Sequence, residues 1–205
     1  MLSLYHAPDS RSSRFIWLLE ELGTPFEIVY CDIKRRSGRG AADPKNPHPD
    51  KRVPALMHGE QLVTESAAIA LYLTDTFPSA GIGVLPGAPD RAAYLTWLAF
   101  YAGEADPAYT VRSIYKGRVD PASEKDHRRV AARVSSALKQ GPFLLGDQFS
   151  AADIFMSGPF EWDPTLAPEN TAVDEWLARL AARPAARRAA ARDTPPNGAS
   201  PTQAT

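Results

Sequence analysis

The sequence predicts a small α/β domain over residues 1–77, followed by an all-helical domain over residues 90–193. In the first region short strand-like runs alternate with helical periodicity, in the order βαβ and then ββα. Residues 78–89, PSAGIGVLPGAP, are rich in glycine and proline, which is typical of a linker. Beyond this linker apolar residues recur at helical spacing and no convincing strand follows. Residues 194–205 lack apolar periodicity and are predicted to be disordered.

Each element of the predicted α/β domain has its own signal. The first strand is the alternating run LSLYH, and the first helix is SSRFIWLLEEL, which stops before Gly23. A second strand, FEIVYCDI, follows the turn at Thr24 and Pro25. Residues 34–49 are polar and proline-rich and predict a loop with at most one short helix. The runs PALMHG and QLVT predict a hairpin, and ESAAIALYLTDTF predicts a helix that ends before Pro78.

Four helical patterns make up the second predicted domain. They read DRAAYLTWLAFYAGEADPAY, EKDHRRVAARVSSALKQG, SAADIFMSGPFEW and VDEWLARLAARPAARRAAARD. Ser150 precedes the third pattern and Asp153 stands three residues later, a spacing that predicts a reciprocal capping box. The alanine-rich basic run over residues 183–192 is interpreted as a solvated helix face rather than a nucleic-acid surface.

Composition narrows the classes of protein that the chain can belong to. A formal net charge of −1 provides no general attraction to nucleic acid or to an anionic membrane. The single cysteine forms no internal disulfide, which favours a reducing compartment. The N-terminus MLSLYHAPDS lacks the pattern of a signal peptide, and no apolar run reaches the roughly 18 residues that span a bilayer. The histidines show no metal-ligand spacing. We therefore expect a cytoplasmic protein without a nucleic-acid, membrane or metal partner.

The stretch KRVPALMHGEQLVTES, residues 51–66, combines two unusual features. Pro54 interrupts a strand-like run, and because proline lacks the N–H that a sheet pairs, it belongs on an edge or at a special turn. Glu65 and Ser66 place a carboxylate and a hydroxyl at the start of an apolar helix. By itself this pattern also fits an edge-strand proline followed by a helix cap.

Three motifs, in this order and at these spacings, resemble the glutathione S-transferase family. They are LYHAPDSRSSRFIWLLEELG near the N-terminus, VPAL followed by TESAAIALYL, and FSAADI in the helical half. The resemblance extends over residues 2–193. It implies a thioredoxin-like N-terminal domain, an all-helical C-terminal domain, glutathione as co-substrate and, as is usual in the family, a homodimer.

The resemblance implies a role for each residue around the proline and the helix start. The bond between Val53 and Pro54 is expected to be cis, with the backbone of Val53 pairing with the cysteinyl part of glutathione like a short added strand. The α-carboxylate of the γ-glutamyl end would meet the helix start at Ser66, and its ammonium would meet Glu65.

The loop NPHPDKRVP supplies the basic residue that the resemblance implies for the glycyl carboxylate of glutathione. Lys51 and Arg52 both match this position, and the sequence leaves the choice between them open. The prolines on both sides of His48 depart from the commoner family pattern. A solvated, flexible loop without a ligand is the alternative interpretation of this segment.

The sulfur of glutathione is assigned to residues 8–14, PDSRSSR, between the first strand and the first helix. The thiolate is the nucleophile, and a hydroxyl donor near a helix N-terminus stabilises it. By the pattern of serine-type transferases Ser10 matches the thiolate-stabilising serine, with Ser12 as the second candidate and Ser13 as the third. The alternative is that Ser10 or Ser12 only caps the helix. No cysteine stands in this segment, which disfavours the cysteine-type classes.

A pocket for the second substrate is predicted from aromatic and acidic side chains. Trp97, Tyr101 and Glu104 fall within two turns of the first helix of the helical domain, where Tyr101 and Glu104 share a face. Tyr5 on the first strand is a fourth candidate, with strand packing as its alternative. Helical aromatic residues also fit a place in the core, so both interpretations remain open.

The leading hypothesis is a glutathione transferase that conjugates the thiolate of glutathione to a small hydrophobic electrophile, as in detoxification. Two alternatives remain. One is a glutathione-dependent isomerase, in which glutathione adds and leaves again. The other is a non-catalytic binding or regulatory protein of the same fold. The sequence does not specify the electrophile.

Overall fold

A computed structural model describes residues 1–115 and 118–196. The chain divides into two compact units, one of Met1–Tyr72 together with the segment from Pro184 onward, and one of Leu73–Arg183. The segment from Pro184, which the sequence analysis placed in the helical domain, thus belongs to the first unit. Most of the predicted disordered tail, residues 197–205, lies outside the described residues.

The first unit is built on a four-stranded mixed sheet in the order β2-β1-β3-β4. The strands are β1 Leu2–His6, β2 Phe26–Tyr30, β3 Ala55–His58 and β4 Gln61–Thr64. Strand β1 is parallel to β2 and antiparallel to β3, and β3 is antiparallel to β4. The parallel pair requires a crossover, which helix α1 (Ser13–Leu22) provides. The predicted βαβ and ββα order is confirmed.

Alternation and helical periodicity account for the core of this unit. Every second residue of β1 is buried, while α1 turns one apolar face inward and ends at Gly23, whose φ of 65° suits a residue without a β-carbon. The buried side chains shared by these elements are Leu2, Leu4, Phe15, Ile16, Leu18, Leu19 and Leu56. Only one buried side chain of β1, that of His6, is polar.

Helix α8 (Pro184–Ala190) packs against α1 with Ala185 and Ala189 buried, while Arg187 and Arg188 are exposed, as predicted for the basic face. Glu20 of α1 accepts hydrogen bonds from Arg188 at 2.6 Å and from Arg192 at 2.5 Å. The guanidinium of Arg192 also lies 4.2 Å from the centre of the Phe26 ring. These contacts hold the turn after α8 beside the sheet.

The second unit is helical, as predicted. Its helices are α3 Arg91–Phe100, α4 Asp106–Ile114, α5 Pro121–Leu138, α6 Ala151–Trp162 and α7 Thr171–Ala181, and α2 (Ser66–Thr76) leads into it from the first unit. A π-helical turn, Tyr101–Ala105, divides the first predicted pattern into α3 and α4. Pro184 divides the last pattern because proline suits the first turn of a new helix. Across the described helices, none combines the length and the apolar character needed to cross a membrane.

The predicted capping box at the start of α6 is confirmed. Asp153 accepts from the backbone N–H of Ser150 at 2.9 Å, and Ser150 Oγ in turn accepts from Ala152. The carboxylate also accepts from the backbone N–H of Leu144 at 2.9 Å and from the indole N–H of Trp176 at 3.0 Å. Asp153 therefore joins three segments of the helical unit as well as capping its own helix.

Candidate functional site

The register of the sheet brings three predicted segments to one edge. Tyr5 on β1 pairs with Ala55 on β3, and Ala55 pairs with Thr64 on β4, so these three residues form one row across the sheet. The serine segment follows β1, the Val-Pro bond precedes β3, and the Glu-Ser pair follows β4. All three segments therefore leave the sheet at the same end, within the first unit.

The Val53–Pro54 bond is cis, as the family resemblance implied. Pro54 is buried, whereas Val53 is half-buried just outside the ladder that starts at Ala55. Among the residues that the structure describes, none makes a hydrogen bond to the backbone N–H or C=O of Val53. The backbone of Val53 can therefore pair with an extended ligand just before the start of β3.

Asn46 organises the loop that leads to Val53. Its side chain is fully buried, donates from Nδ2 to the carbonyl of Arg52 at 2.9 Å and accepts at Oδ1 from the N–H of His48 at 3.0 Å. His48 is also buried and accepts at Nδ1 from the N–H of Asp50. The sequence predicts no role for Asn46, whose only local signal is an Asn-Pro dipeptide of the kind that starts turns.

The two candidates for the glycyl carboxylate have different surroundings. Lys51 has a φ of 56°, and its ammonium donates to the carbonyl of Asn46 at 2.7 Å. The side chain of Arg52 is 74% exposed, with its guanidinium 3.8 Å from the carboxylate of Asp50. Lys51 is thus held against the loop, while Arg52 extends into solvent.

Glu65 connects β4 to α2 in a left-handed conformation, with a φ of 66°. This region is unfavourable for a residue with a β-carbon and is found preferentially at functional sites. The side chain of Glu65 is exposed, and Ser66 begins α2, whose first N–H groups have no partner within the helix. A carboxylate and a set of N–H donors therefore lie side by side at the predicted edge.

The serine segment forms a compact hydrogen-bond cluster. Ser12 is fully buried at the N-cap position of α1, but its hydroxyl makes no capping bond. Its Oγ lies 2.8 Å from His6 Nδ1 and 2.6 Å from Ser10 Oγ instead. Ser10 is half-buried and lies 2.7 Å from the carbonyl of Ala7. Ser13 Oγ accepts only a long 3.4 Å bond from the N–H of Ser10.

His6 connects this cluster to the turn after α8. Its Nε2 lies 2.8 Å from the backbone carbonyl of Asp193 and 3.5 Å from the Asp193 carboxylate. Burial lowers the pKa of His6 below its ordinary value of 6.5, although Asp193 opposes this shift. Nothing local in the sequence links His6 to a residue 187 positions away, so the sequence predicts no role for it.

The predicted pocket residues are distributed over both units. Tyr5 is half-buried on β1, whereas Trp97 and Tyr101 are buried in the helical unit, where the Tyr101 hydroxyl donates to Asp106. Glu104 is exposed and pairs with Arg129 at a cavity of about 250 Å³, which Trp97 and Tyr101 do not line. A substrate pocket formed by these residues stays a prediction.

Comparison with known proteins agrees with this geometry. The model for the N-terminal domain of glutathione S-transferases matches residues 4–81, and the model for their C-terminal domain matches residues 93–184. Glutathione S-transferase 3 of Zea mays is 28% identical over 202 residues, covering 90% of each chain. A glutathione transferase structure from Methylococcus capsulatus is 30% identical, with a TM-score of 0.77, and the match covers 94% of this chain and 98% of that chain.

A sphingomonad glutathione S-transferase, solved in complex with glutathione, matches with a TM-score of 0.76 at 25% identity and covers 93% of this chain and 98% of that chain. The chain belongs to the glutathione S-transferase family. Its fold is the thioredoxin-like domain followed by an all-helical domain that the sequence resemblance implied.

Proposed function

We propose that the protein is a glutathione transferase that adds the glutathione thiolate to a small hydrophobic electrophile. The observation that carries this proposal is the row Tyr5, Ala55 and Thr64, which brings the serine, Val-Pro and Glu-Ser segments to one edge. Two strand spacings of about 4.8 Å span roughly 10 Å. An extended tripeptide also spans roughly 10 Å. One glutathione molecule therefore has the length to reach all three segments.

Glu65 and Ser66 are proposed to bind the γ-glutamyl end. The N–H groups at the start of α2 and the hydroxyl of Ser66 suit its α-carboxylate, because a helix N-terminus favours an anion. The exposed carboxylate of Glu65 suits the adjacent ammonium. The left-handed φ of Glu65 supports this role, since a strained residue is expected where function requires its position.

The middle and the glycyl end of glutathione are proposed to lie along Val53. Its free backbone N–H and C=O suit the cysteinyl part. The glycyl carboxylate then lies near Lys51 and Arg52. Arg52 is the more accessible of the two cations, while Lys51 is the more rigidly held.

Ser10 is the better candidate for the sulfur. Its hydroxyl is half-buried, whereas that of Ser12 is fully buried and surrounded by His6, Ala7 and Ser10. A hydroxyl that donates to sulfur lowers the thiol pKa from its ordinary value near 8.5 and raises the thiolate fraction at neutral pH. The relatives named glutathione S-transferase, and the related structure solved with glutathione, support glutathione as the ligand of this site.

The proposed setting is the cytoplasm, with the protein as a homodimer. A reducing compartment keeps glutathione available as the thiol. The one cysteine, Cys31, is buried, and burial raises its thiol pKa to about 11, so it does not compete as a nucleophile. The proposed division is a glutathione-binding domain over residues 1–77, a linker over residues 78–89 and a helical domain over residues 90–193, whose last segment, from Pro184, packs within the first compact unit.

Calorimetry of glutathione binding, beside a conjugation screen against a panel of electrophiles, tests this function. We expect binding to the wild type and turnover with at least one electrophile. Glu65→Ala should bind about 10–150-fold more weakly, the equivalent of roughly 1.5–3 kcal/mol for a hydrogen bond to a charged group. Glu60→Ala, which changes an exposed glutamate on the β3–β4 turn, is the matched control and should bind like the wild type.

Each other outcome of this screen has a distinct meaning. Binding without turnover of any electrophile would favour the non-catalytic alternative. Rearrangement of a substrate without a stable conjugate would favour the isomerase. An absence of glutathione binding in the folded wild type would refute the proposal.

A further inference from the structure

The short polar contacts around His6, Ser10 and Ser12 need more hydrogens than a neutral imidazole and two hydroxyls carry. His6 Nε2 meets the Asp193 carbonyl at 2.8 Å, and His6 Nδ1 meets Ser12 Oγ at 2.8 Å. Ser12 Oγ meets Ser10 Oγ at 2.6 Å, and Ser10 Oγ meets the Ala7 carbonyl at 2.7 Å. Each of these four contacts needs one hydrogen between its two atoms.

The two hydroxyls and a neutral imidazole together provide three hydrogens. Either neutral tautomer of His6 therefore leaves one contact without a hydrogen. The backbone N–H groups of Ala7 and Ser12 do not change this count, because they only donate to the serine oxygens. A second, longer contact of Ser12 Oγ with the Ala7 carbonyl, at 3.4 Å, adds an acceptor and no hydrogen. An imidazolium provides the missing hydrogen and satisfies all four contacts.

A second observation points to the same proton. Asp193 Oδ1 is buried and, within the described part of the chain, accepts no hydrogen bond, although it lies 3.5 Å from His6 Nε2. A buried carboxylate oxygen without a donor is uncommon in a native structure. A positive charge on His6 would supply its counter-ion.

The other groups around His6 set its charge when the site is empty. The carboxylate of Asp9 favours the imidazolium, and the guanidinium of Arg35 opposes it. The ring of Tyr30 lies edge-on at 5.6 Å and contributes an apolar wall. Burial is the largest influence and lowers the pKa of His6, so before glutathione arrives the imidazole is neutral at pH 7 and the cluster is one hydrogen short. Burial alone makes this imidazole a weak base, and the negative charge of a bound thiolate is what raises its pKa and favours proton uptake.

We propose that His6 accepts the thiol proton of glutathione through Ser10 and Ser12, a step that rests on the proposed function. The thiol gives its proton to Ser10 Oγ, Ser10 gives its own proton to Ser12 Oγ, and Ser12 gives its own proton to His6 Nδ1. The products are a thiolate and an imidazolium beside Asp193, and Ser10 Oγ then donates its one hydrogen to the sulfur in place of the Ala7 carbonyl. No atom or electron pair is lost. When the sulfur pair forms the bond to carbon, the proton returns along the same hydroxyls to the leaving anion.

This step assigns separate roles to the three side chains. Ser10 touches the sulfur, Ser12 transmits the proton, and His6 acts through both serines as a positioning and proton-accepting residue. It also explains why the hydroxyl of Ser12 is turned away from the capping position that its backbone occupies.

Nitrogen-15 NMR of the histidine rings tests the proposal on the wild-type protein. We expect one protonated ring nitrogen on His6 in the free protein at pH 7 and two in the glutathione complex. S-methylglutathione, which has no thiol proton, should bind and leave His6 neutral. In parallel, calorimetry in buffers of different ionisation enthalpy measures how many protons are released to the buffer for each glutathione bound. We expect fewer than one, because His6 retains the thiol proton.

The outcomes separate this inference from the proposed function. If glutathione does not bind, both are refuted. If glutathione binds as the thiolate while His6 stays neutral and a full proton is released, only the relay is refuted, and Ser10 stabilises a thiolate whose proton goes to water.

Substitutions give an independent measurement through the ultraviolet absorbance of the bound thiolate. His6→Asn retains a hydrogen-bonding group but cannot take up a proton, so the pKa of bound glutathione should rise by about one unit or more, a tenfold loss of thiolate at neutral pH. Ser12→Ala should shift it in the same direction. His58→Asn makes the same change on β3, away from the cluster, and should titrate like the wild type.

Binding of S-methylglutathione checks that the variants are folded. His6→Asn and Ser12→Ala should retain it, because the γ-glutamyl and glycyl contacts lie elsewhere. Unchanged thiolate titration in His6→Asn would overturn the relay.

Discussion

The left-handed conformation of Glu65 predicts that one substitution will stabilise the protein and weaken its binding of glutathione. A residue with a β-carbon at a φ of 66° costs roughly 1–2 kcal/mol relative to glycine. Glycine loses roughly 0.5–1 kcal/mol more conformational entropy on folding. Glu65→Gly should therefore raise the free energy of unfolding by about 0.5–1 kcal/mol. For a chain of 205 residues this corresponds to a Tm higher by about 1–4 °C.

Glu65→Ala separates the backbone effect from the loss of the carboxylate. Alanine retains the β-carbon and therefore the strain, so its Tm should stay near that of the wild type. Both variants lose the carboxylate proposed for the ammonium of glutathione, and both should bind about 10–150-fold more weakly. Stability and binding are thus expected to change in opposite directions only in Glu65→Gly.

Thermal unfolding without ligand and calorimetric titration with glutathione measure the two quantities. Glu60→Gly is the control, because Glu60 is exposed and has no left-handed φ. It should lose roughly 0.5–1 kcal/mol of stability and bind glutathione normally. A Tm for Glu65→Gly below that of Glu65→Ala would refute the strain argument, and normal glutathione binding would refute the assignment of the carboxylate.

Three further substitutions and one mass measurement test other parts of the molecule. Ser10→Ala should retain glutathione affinity but raise the pKa of the bound thiol toward 8.5, so activity falls at neutral pH and partly returns near pH 9; an unchanged thiolate titration would contradict this. Asp153→Ala should lower the free energy of unfolding by about 3–5 kcal/mol in urea, because buried donors lose their acceptor, and a loss under about 1 kcal/mol would count against it. Burial opposes ionisation of Glu20, but Arg188 and Arg192 bring its pKa below 4.5. The wild type should therefore be more stable than Glu20→Gln above pH 4.5, and this difference in stability should disappear as the pH falls through the pKa of Glu20 in the folded protein. A difference that persists in acid would exclude the ion pairs as its cause. Sedimentation at micromolar concentration should give twice 22.3 kDa, and the monomer mass would rule out the proposed dimer.

Local sequence patterns determined most of the elements and the arrangement of the candidate site. The end of α1 at Gly23, the β3–β4 hairpin and the capping box of Ser150 and Asp153 all depend on neighbours within a few residues. Such contacts leave a periodic or spaced signal. The proline before β3 and the acid before α2 were recognised for the same reason, and sheet pairing then brought them to one edge.

Only the tertiary structure decided which distant residues complete that edge. Asp193 reaches His6 because α8 packs on α1, where Glu20 also pairs with Arg188 and Arg192. The role of Asn46 depends on its burial, and the burial of Trp97 and Tyr101 depends on which face of their helix meets its neighbours. No periodicity specifies these contacts, because they are selected by packing and by hydrogen-bond satisfaction between segments far apart in the chain.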